Sequence, residues 1–195
     1  MATAETITSH ERVLDIIEQG ISRENVMPEI INTFNLSYGV EIGVWKGEFS
    51  ELLLNTTKLG VLHGCDIWEG RKGKNNYQNA VERLKKFGSR SHLHVGPSPQ
   101  AASLFEDESL DFIYIDADHT YEGCKADIKG WWPKCKPGGF FGGHDYAPRR
   151  NRAFFGVIPA VDEFAKQENL HLYVTKEDGR TWNHRLRTWW VFKPL

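Results

Sequence analysis

The sequence predicts an α/β fold in which a mainly parallel sheet carries helices on both faces. Short apolar runs, turn signals and stretches of helical periodicity follow one another along most of the 195 residues. This alternation is typical of βαβ units, whose helices cover a parallel sheet from both sides. No repeat or low-complexity linker interrupts it. We therefore expect a single domain over residues 1–195.

Seven short apolar runs are the candidate strands. In chain order they cover residues 38–45, 60–68, 91–96, 110–116, 138–146, 170–175 and 186–192. Apolar residues at helical spacing predict helices between them, and the clearest set is Tyr77, Ala80, Val81, Leu84 and Phe87. A further amphipathic stretch around residues 13–21 predicts a helical extension over residues 1–35.

The composition limits the classes of partner and the location. The formal net charge of −2 gives no global field that would attract nucleic acid or an anionic membrane. Three cysteines without C-x-x-C spacing argue against a disulfide framework or a thiolate zinc site. The sequence contains neither the apolar core of a signal peptide nor a run long enough to span a bilayer. We expect a cytoplasmic protein without nucleic-acid or membrane partners, and the choice between a monomer and a homo-oligomer stays open.

Polar residues that could take part in catalysis or ligand binding lie at or just beyond the ends of the predicted strands. They are Glu41, Asp66, Ser98, Asp116, Asp118, His119, His144 and Asp145. Parallel sheets bind ligands at the carboxyl ends of their strands, near the point where strand order reverses. This distribution therefore predicts a ligand site at that edge of the sheet.

The first strand runs into the turn E-I-G-V-W-K-G, residues 41–47. Gly43 would let the backbone turn against a ligand and Gly47 would open a closely packed helix, although both could be simple turn glycines. Asp66 ends the second strand, where an acid can accept both hydroxyls of a ribose; a helix cap or a surface acid is its alternative. Since the turn lacks the G-x-G-x-x-G fingerprint, the pattern favours an adenosine-containing ligand without phosphates.

Three segments together resemble class I S-adenosylmethionine-dependent methyltransferases. They are VEIGVWKGEFSELLL, CDIW and LDFIYIDADHTYEGCKADIKGWWPKCKPGGFFGGHDY, and the similarity runs from about Tyr38 to Tyr146. The resemblance is greatest to the small subgroup whose fourth and fifth strands end in D-x-D-H and G-H-D-Y. It implies a Rossmann-like, doubly wound, seven-stranded sheet whose last strand, around residues 189–192, is antiparallel.

The same resemblance assigns cofactor-binding residues. It implies that Glu41, Gly43 and Gly47 form the turn on the methionine side of S-adenosylmethionine. It also implies that Asp66 holds the ribose, that Ser98 lies beside the adenine and that Asp116 belongs to the cofactor site.

Metal-dependent O-methyltransferases are similar at the ends of strands four and five. In them an aspartate matches Asp116, and an Asp-Asp or Asp-Asn pair matches His144 and Asp145. The resemblance thus implies a divalent metal (magnesium, manganese or similar) on these three residues. The imidazole at position 144 departs from the family pattern, because His suits zinc, manganese or iron whereas magnesium and calcium prefer oxygen. His144 could instead be free to act as a base.

Methyl transfer to a hydroxyl needs a proton acceptor or a cation that lowers the hydroxyl pKa. The resemblance to sugar O-methyltransferases implies Asp118 as the base. His119 is its rival, since the reference pKa of histidine is about 6.5, and His144 is the third candidate. The alternatives are that Asp118 or Thr120 caps the following helix and that His119 is structural.

We expect a methyltransferase that transfers the methyl group of S-adenosylmethionine to a hydroxyl of a small polar molecule such as a sugar. A phenol or amine acceptor without a metal, and a non-catalytic module that binds an adenosine ligand, are the alternatives. A nicotinamide oxidoreductase is less compatible with the turn sequence. The loop 147–156, with three arginines, is interpreted as a lid over the acceptor or as a solvated loop.

Overall fold

The computed structural model describes residues 11–16, 22–147, 156–176 and 187–195. Residues 11–16 are helical (α1). The other helices are α2 (Arg23–Thr33), α3 (Glu48–Thr56), α4 (Gly73–Leu84), α5 (Ser98–Ala101), α6 (Tyr121–Trp131) and α7 (Val157–Gln167). The strands are β1 (Tyr38–Ile42), β2 (Val61–Asp66), β3 (Ser91–Val95), β4 (Leu110–Ile115), β5 (Cys135–Gly143), β6 (Tyr173–Val174) and β7 (Trp189–Phe192). The predicted lid, 147–156, lies almost entirely outside the described residues.

The seven strands form one sheet in the order β3-β2-β1-β4-β5-β7-β6. Strands β1 to β5 pair in parallel with one another, and β7 is antiparallel to both β5 and β6. The predicted seven-stranded sheet with an antiparallel last strand is confirmed. Strand order reverses between β1 and β4, because the chain first moves outward to β2 and β3 and then returns. The carboxyl ends of β1 and β4 are therefore the expected ligand position.

Each face of the sheet packs against its own helices, as the continuous apolar runs require. Along β4, Phe112 and Tyr114 belong to the core shared with α2, α3 and α4. Ile113 and Ile115 belong to the core shared with α5, α6 and α7. No helix in the described ranges combines the length and apolar character needed to cross a membrane.

Several elements differ from the predicted boundaries, and β1, β2 and β7 are each shorter than their apolar runs. Helix α2 was not distinguished within the N-terminal extension, because Pro28 interrupts its helical signal. Strand β5 begins at Cys135 rather than at residue 138, because its register against β4 shifts between the pairs Leu110–Cys135 and Phe112–Phe140. This irregularity accommodates Pro137 and Gly138 within the strand. Strand β6 has only two residues, fewer than its apolar run suggested.

Candidate active site

A cavity of about 540 Å³ opens at the carboxyl ends of β1, β2 and β4. Five of the predicted site residues line it: Gly43, Asp66, Ser98, Asp116 and Asp118. The other five are not part of its lining: Glu41, Gly47, His119, His144 and Asp145. The predicted edge of the sheet thus carries the cavity.

Gly43 brings the end of β1 against the end of β4. Its φ is +91°, and an added Cβ would lie 2.0 Å from the backbone oxygen of Asp116. Gly47 precedes α3 with φ +76°, and its Cβ would meet Leu84 and Ala80 at 3.2–3.3 Å. Both glycines therefore allow close backbone approach. Contact of these glycines with a ligand, and with a methionine moiety in particular, stays a prediction.

Asp66 ends β2 with its carboxylate fixed by two backbone donors. The amide of Trp45 donates to Oδ2 at 2.8 Å, and the amide of Trp68 donates to Oδ1 at 2.9 Å. Each carboxylate oxygen has a second lone pair. Both oxygens can therefore still accept from a diol in the cavity.

Asp118 takes part in the turn before α6. Its Oδ1 accepts from the amide of Thr120 at 2.9 Å, and Thr120 Oγ1 in turn accepts from the amide of Gly123 at 3.0 Å. Thr120 is thus the N-cap, one of the two caps that the sequence allowed. A Cβ on Gly123 would lie 2.3 Å from Asp118 Cγ, so the carboxyl group rests directly on the helix backbone. The carboxyl group of Asp118 faces the cavity from the α6 side.

The other acidic and imidazole groups form a cluster beside the cavity, at the ends of β4 and β5. His119 Nε2 lies 2.8 Å from Asp145 Oδ2 and 3.4 Å from Asp116 Oδ1. His144 Nδ1 lies 3.6 Å from the same Asp145 oxygen and 3.8 Å from the same Asp116 oxygen. The four residues Asp116, His119, His144 and Asp145 are called the acid–imidazole cluster below. Asp116 belongs to both the cluster and the cavity lining.

Arg23, at the start of α2, is a site residue that the sequence did not reveal. Its Nη1 donates to Asp116 Oδ2 at 2.6 Å, and its guanidinium lies 4.6 Å from the centre of the Phe49 ring. This arginine thus ties the N-terminal helix to the acid that links the cluster and the cavity.

A family model described as "Methyltransferase domain" matches residues 40–146, which is more than half of the 195 residues. The chain belongs to this methyltransferase family. The match extends from β1 to just beyond β5 and includes the Gly43 turn, the cavity and the cluster. It confirms the resemblance to class I S-adenosylmethionine-dependent methyltransferases, and the subgroup stays a prediction.

Solved methyltransferases share the fold at low sequence identity. The O-methyltransferase from Bacillus cereus in complex with SAH is 16% identical over 95% of this chain and 91% of that chain, with a TM-score of 0.66. TomG, an O-methyltransferase from Streptomyces achromogenes in complex with SAM, is 14% identical over 89% and 82%, with a TM-score of 0.65. The N-methyltransferase NodS from Bradyrhizobium japonicum WM9 is 18% identical over 97% and 96%, with a TM-score of 0.63. Because O- and N-methyltransferases both match, the fold alone does not decide the acceptor atom. No curated protein sequence matches this chain.

The charges in this methyltransferase's cluster are paired within the protein. Hydrogen bonds to Asp116 and Asp145 raise the pKa of His119 to about 9 against the opposing effect of burial. Burial alone would raise the pKa of Asp145, but hydrogen bonds from His119 and His144 hold it well below its usual value. His119 is therefore protonated at neutral pH. In this arrangement it is a charge partner of the two acids rather than a proton acceptor.

Glu41 is a buried carboxyl group in β1, just before the glycine turn. It is 2% exposed, and its Oε2 accepts from the hydroxyl of Ser50. Burial raises its pKa to about 8, and the hydrogen bond from Ser50 and the charge of Arg23 oppose that rise only in part. Its predicted contact with the methionine side of the cofactor stays a prediction.

The predicted metal ligands of the methyltransferase have suitable donor types. One ligand atom each from Asp116, His144 and Asp145 lies within 4.8 Å of the others. Bonds of about 2.0–2.2 Å to one ion would place its ligands roughly 3–3.5 Å apart. However, His119 Nε2 lies between the same two carboxylate oxygens, and Arg23 holds the other oxygen of Asp116. With His119 in this position the two oxygens are already paired, so an ion could bind here only by displacing His119 or by taking it as a fourth ligand.

A second residue that the sequence did not reveal is Asp127, which lines the cavity from α6 beside Ser98. The indole Nε1 of Trp131 donates to Ser98 Oγ at 2.9 Å. Asp127 is only 3% exposed. The sequence hints at Asp127 because it is an acid on the same face of an amphipathic helix as the buried residues Cys124, Ile128 and Trp131.

Proposed function

We propose that this protein transfers the methyl group of S-adenosylmethionine to a hydroxyl of a small polar acceptor such as a sugar. The observation that carries the proposal is the position of Asp116, which lines the cavity on one side and belongs to the acid–imidazole cluster on the other. A cofactor in the cavity and an acceptor at the cluster would therefore meet at this residue. Complexes of structural neighbours with SAH and SAM support the choice of cofactor.

The chemistry is an in-line displacement on the methyl carbon. A bond forms between that carbon and the acceptor oxygen while the carbon–sulfur bond breaks, and the sulfonium becomes a neutral thioether. The acceptor oxygen must lie about 3–3.5 Å from the methyl carbon. Its proton must pass to a base, because an aliphatic hydroxyl is a weak nucleophile at neutral pH.

We assign the role of base to His144. Asp118 packs on the start of α6, and His119 Nε2 is engaged with two carboxylates. His144 presents Nδ1 to Asp116 and Asp145 at 3.6–3.8 Å, an arrangement that can stabilise an imidazolium once the proton has been taken up. Arg23 and His119 balance the two carboxylates and keep them in position.

Calorimetric titration with S-adenosylmethionine, SAH and NAD tests the cofactor. We expect both sulfur ligands to bind and NAD not to bind, since the turn lacks the pyrophosphate fingerprint. A protein that binds neither sulfur ligand would contradict the proposal. A screen for SAH release over sugars, nucleotide sugars, phenols and amines then identifies the acceptor. Binding without turnover on any class would favour the non-catalytic module.

Turnover is expected to persist in EDTA, because Arg23 and His119 already supply the positive charge beside Asp116 and Asp145. The measurement is the initial rate of SAH release with the identified acceptor, with and without chelator, followed by addition of Mn²⁺, Zn²⁺ or Mg²⁺. The second candidate, a metal-dependent enzyme, is favoured by the clustering of Asp116, His144 and Asp145. A tenfold or greater fall in this rate in EDTA, reversed by one of these ions, would establish the metal-dependent enzyme. His144 would then be a metal ligand and not the base.

A further inference from the structure

Asp127 is a buried carboxyl group that faces the cavity without a cationic partner. It is 3% exposed and still lines the cavity. In the described part of the chain the only group that hydrogen-bonds to it is the Ser98 hydroxyl, and its charged neighbour is another acid, Asp118. Buried acids are costly unless they are paired or hydrogen-bonded. A ligand that donates to this carboxylate would remove that cost.

The hydrogen-bond directions at this position are fixed by Trp131. An indole nitrogen can only donate, so Ser98 Oγ is the acceptor of the 2.9 Å bond from Trp131. The Ser98 hydroxyl hydrogen is then free to be donated to Asp127. An ionised carboxylate can only accept, so the remaining lone pairs of Asp127 require a donor from the cavity.

Asp127 is largely ionised at neutral pH and above. Burial raises its pKa to about 6; the hydrogen bond from Ser98 lowers the pKa and the nearby charge of Asp118 raises it. Protonation would give the side chain a donor of its own. Above pH 7 this form is minor, so the acceptor character of the carboxylate prevails.

Gly43, Asp66, Ser98 and Asp127 line the same cavity. A ribose held by Asp66 and a methionine end at the Gly43 turn would leave the Ser98 end of the cavity, where Asp127 lies, for the base. Helix α5, which starts at Ser98, packs on both β2 and α6. The apolar side chains of Ile67, Pro97 and Pro99 share this cavity and suit the faces of a flat ring.

We infer that Asp127 accepts a hydrogen bond from the exocyclic amino group of the adenine ring, and that the relay from Trp131 through Ser98 positions it to do so. Asp127 is thereby a specificity residue that selects 6-aminopurine ligands. This inference rests on the proposed function, because it presumes an adenosine cofactor in the cavity.

The test compares SAH with its 6-deamino analogue, which carries hydrogen in place of the amino group, by calorimetry at pH 7.5. The wild-type protein should bind SAH roughly 10- to 100-fold more tightly, the range for a hydrogen bond to a charged group. In Asp127→Asn the amide oxygen would accept from Ser98 and the amide nitrogen would face the ring. The preference for SAH should then fall to about threefold or less.

Glu122→Gln, an exposed change on the same helix, is the matched control and should keep the wild-type ratio. An unchanged ratio in a folded Asp127→Asn protein would overturn the inference and leave the proposed function intact. If that variant does not fold, a wild-type ratio near one overturns the inference without it. A wild-type protein that binds neither SAH nor S-adenosylmethionine would instead overturn the proposed function.

Discussion

Gly43→Ala is expected to destabilise the protein by roughly 2–5 kcal/mol and to abolish SAH binding. A left-handed backbone costs a residue with a Cβ about 1–2 kcal/mol, and a forced contact in a packed region costs about 1–3 kcal/mol more. Here the new Cβ would lie 2.0 Å from the backbone oxygen of Asp116, so β1 and β4 would have to separate where the cavity begins. Urea unfolding measures the first effect and calorimetry the second.

Gly70→Ala is the matched control for this substitution. Gly70 has a similar positive φ of +77°, and nothing lies within 4 Å of its added Cβ. Gly70→Ala should therefore lower the free energy of unfolding by only the about 1–2 kcal/mol that a left-handed backbone costs, and it should retain SAH affinity. Equal losses of stability in the two variants would show that the close approach of β1 to β4 contributes little.

Asp116→Asn is expected to reduce methyl transfer by about 10²- to 10⁴-fold, the range for loss of acid–base assistance. The amide keeps the size of the side chain but removes the charge that pairs with Arg23 at 2.6 Å and His119 at 3.4 Å. His144 would lose one of the two carboxylates that its Nδ1 faces. The measurement is kcat for SAH release, with SAH affinity determined in parallel.

Asp107→Asn provides the comparison, because Asp107 forms an exposed ion pair with Lys134 on another part of the surface. Its kcat should stay within twofold of wild type, since exposed ion pairs contribute little. If Asp116→Asn kept more than a tenth of the wild-type kcat, Asp116 would not be the link between cofactor and acceptor. A loss confined to SAH affinity would assign it to the cofactor alone.

Most of the sheet could be predicted because its information is local. The first five apolar runs each became a strand of the predicted type, and β7 is antiparallel as the family resemblance implied. The strand ends were harder to predict because register depends on the neighbouring strand. The shift between β4 and β5 arises from pairing and cannot be inferred from Pro137 alone.

The site was predicted in part for a related reason. Polar residues that directly follow an apolar run can be recognised from the sequence alone. Three of those recognised in this way, Asp66, Asp116 and Asp118, line the cavity. Arg23 is separated from Asp116 by 93 positions. It lies in a helix that contains Pro28, a residue that argues against a helix when only the sequence is considered. Asp127 occupies a helical position where only tertiary packing decides whether an acid meets solvent or a cavity. No local rule identifies Arg23, and the apolar pattern of α6 marks Asp127 only as an acid at a buried helical position.

The ion pair between Arg23 and Asp116 means that the segment matched by the family model does not contain every residue of the candidate active site. The family match starts at residue 40, after the whole of α2. A fragment cut at that boundary would keep both acids of the cluster and lose the guanidinium that neutralises one of them. Part of the site's electrostatic balance is therefore supplied from outside the shared family segment.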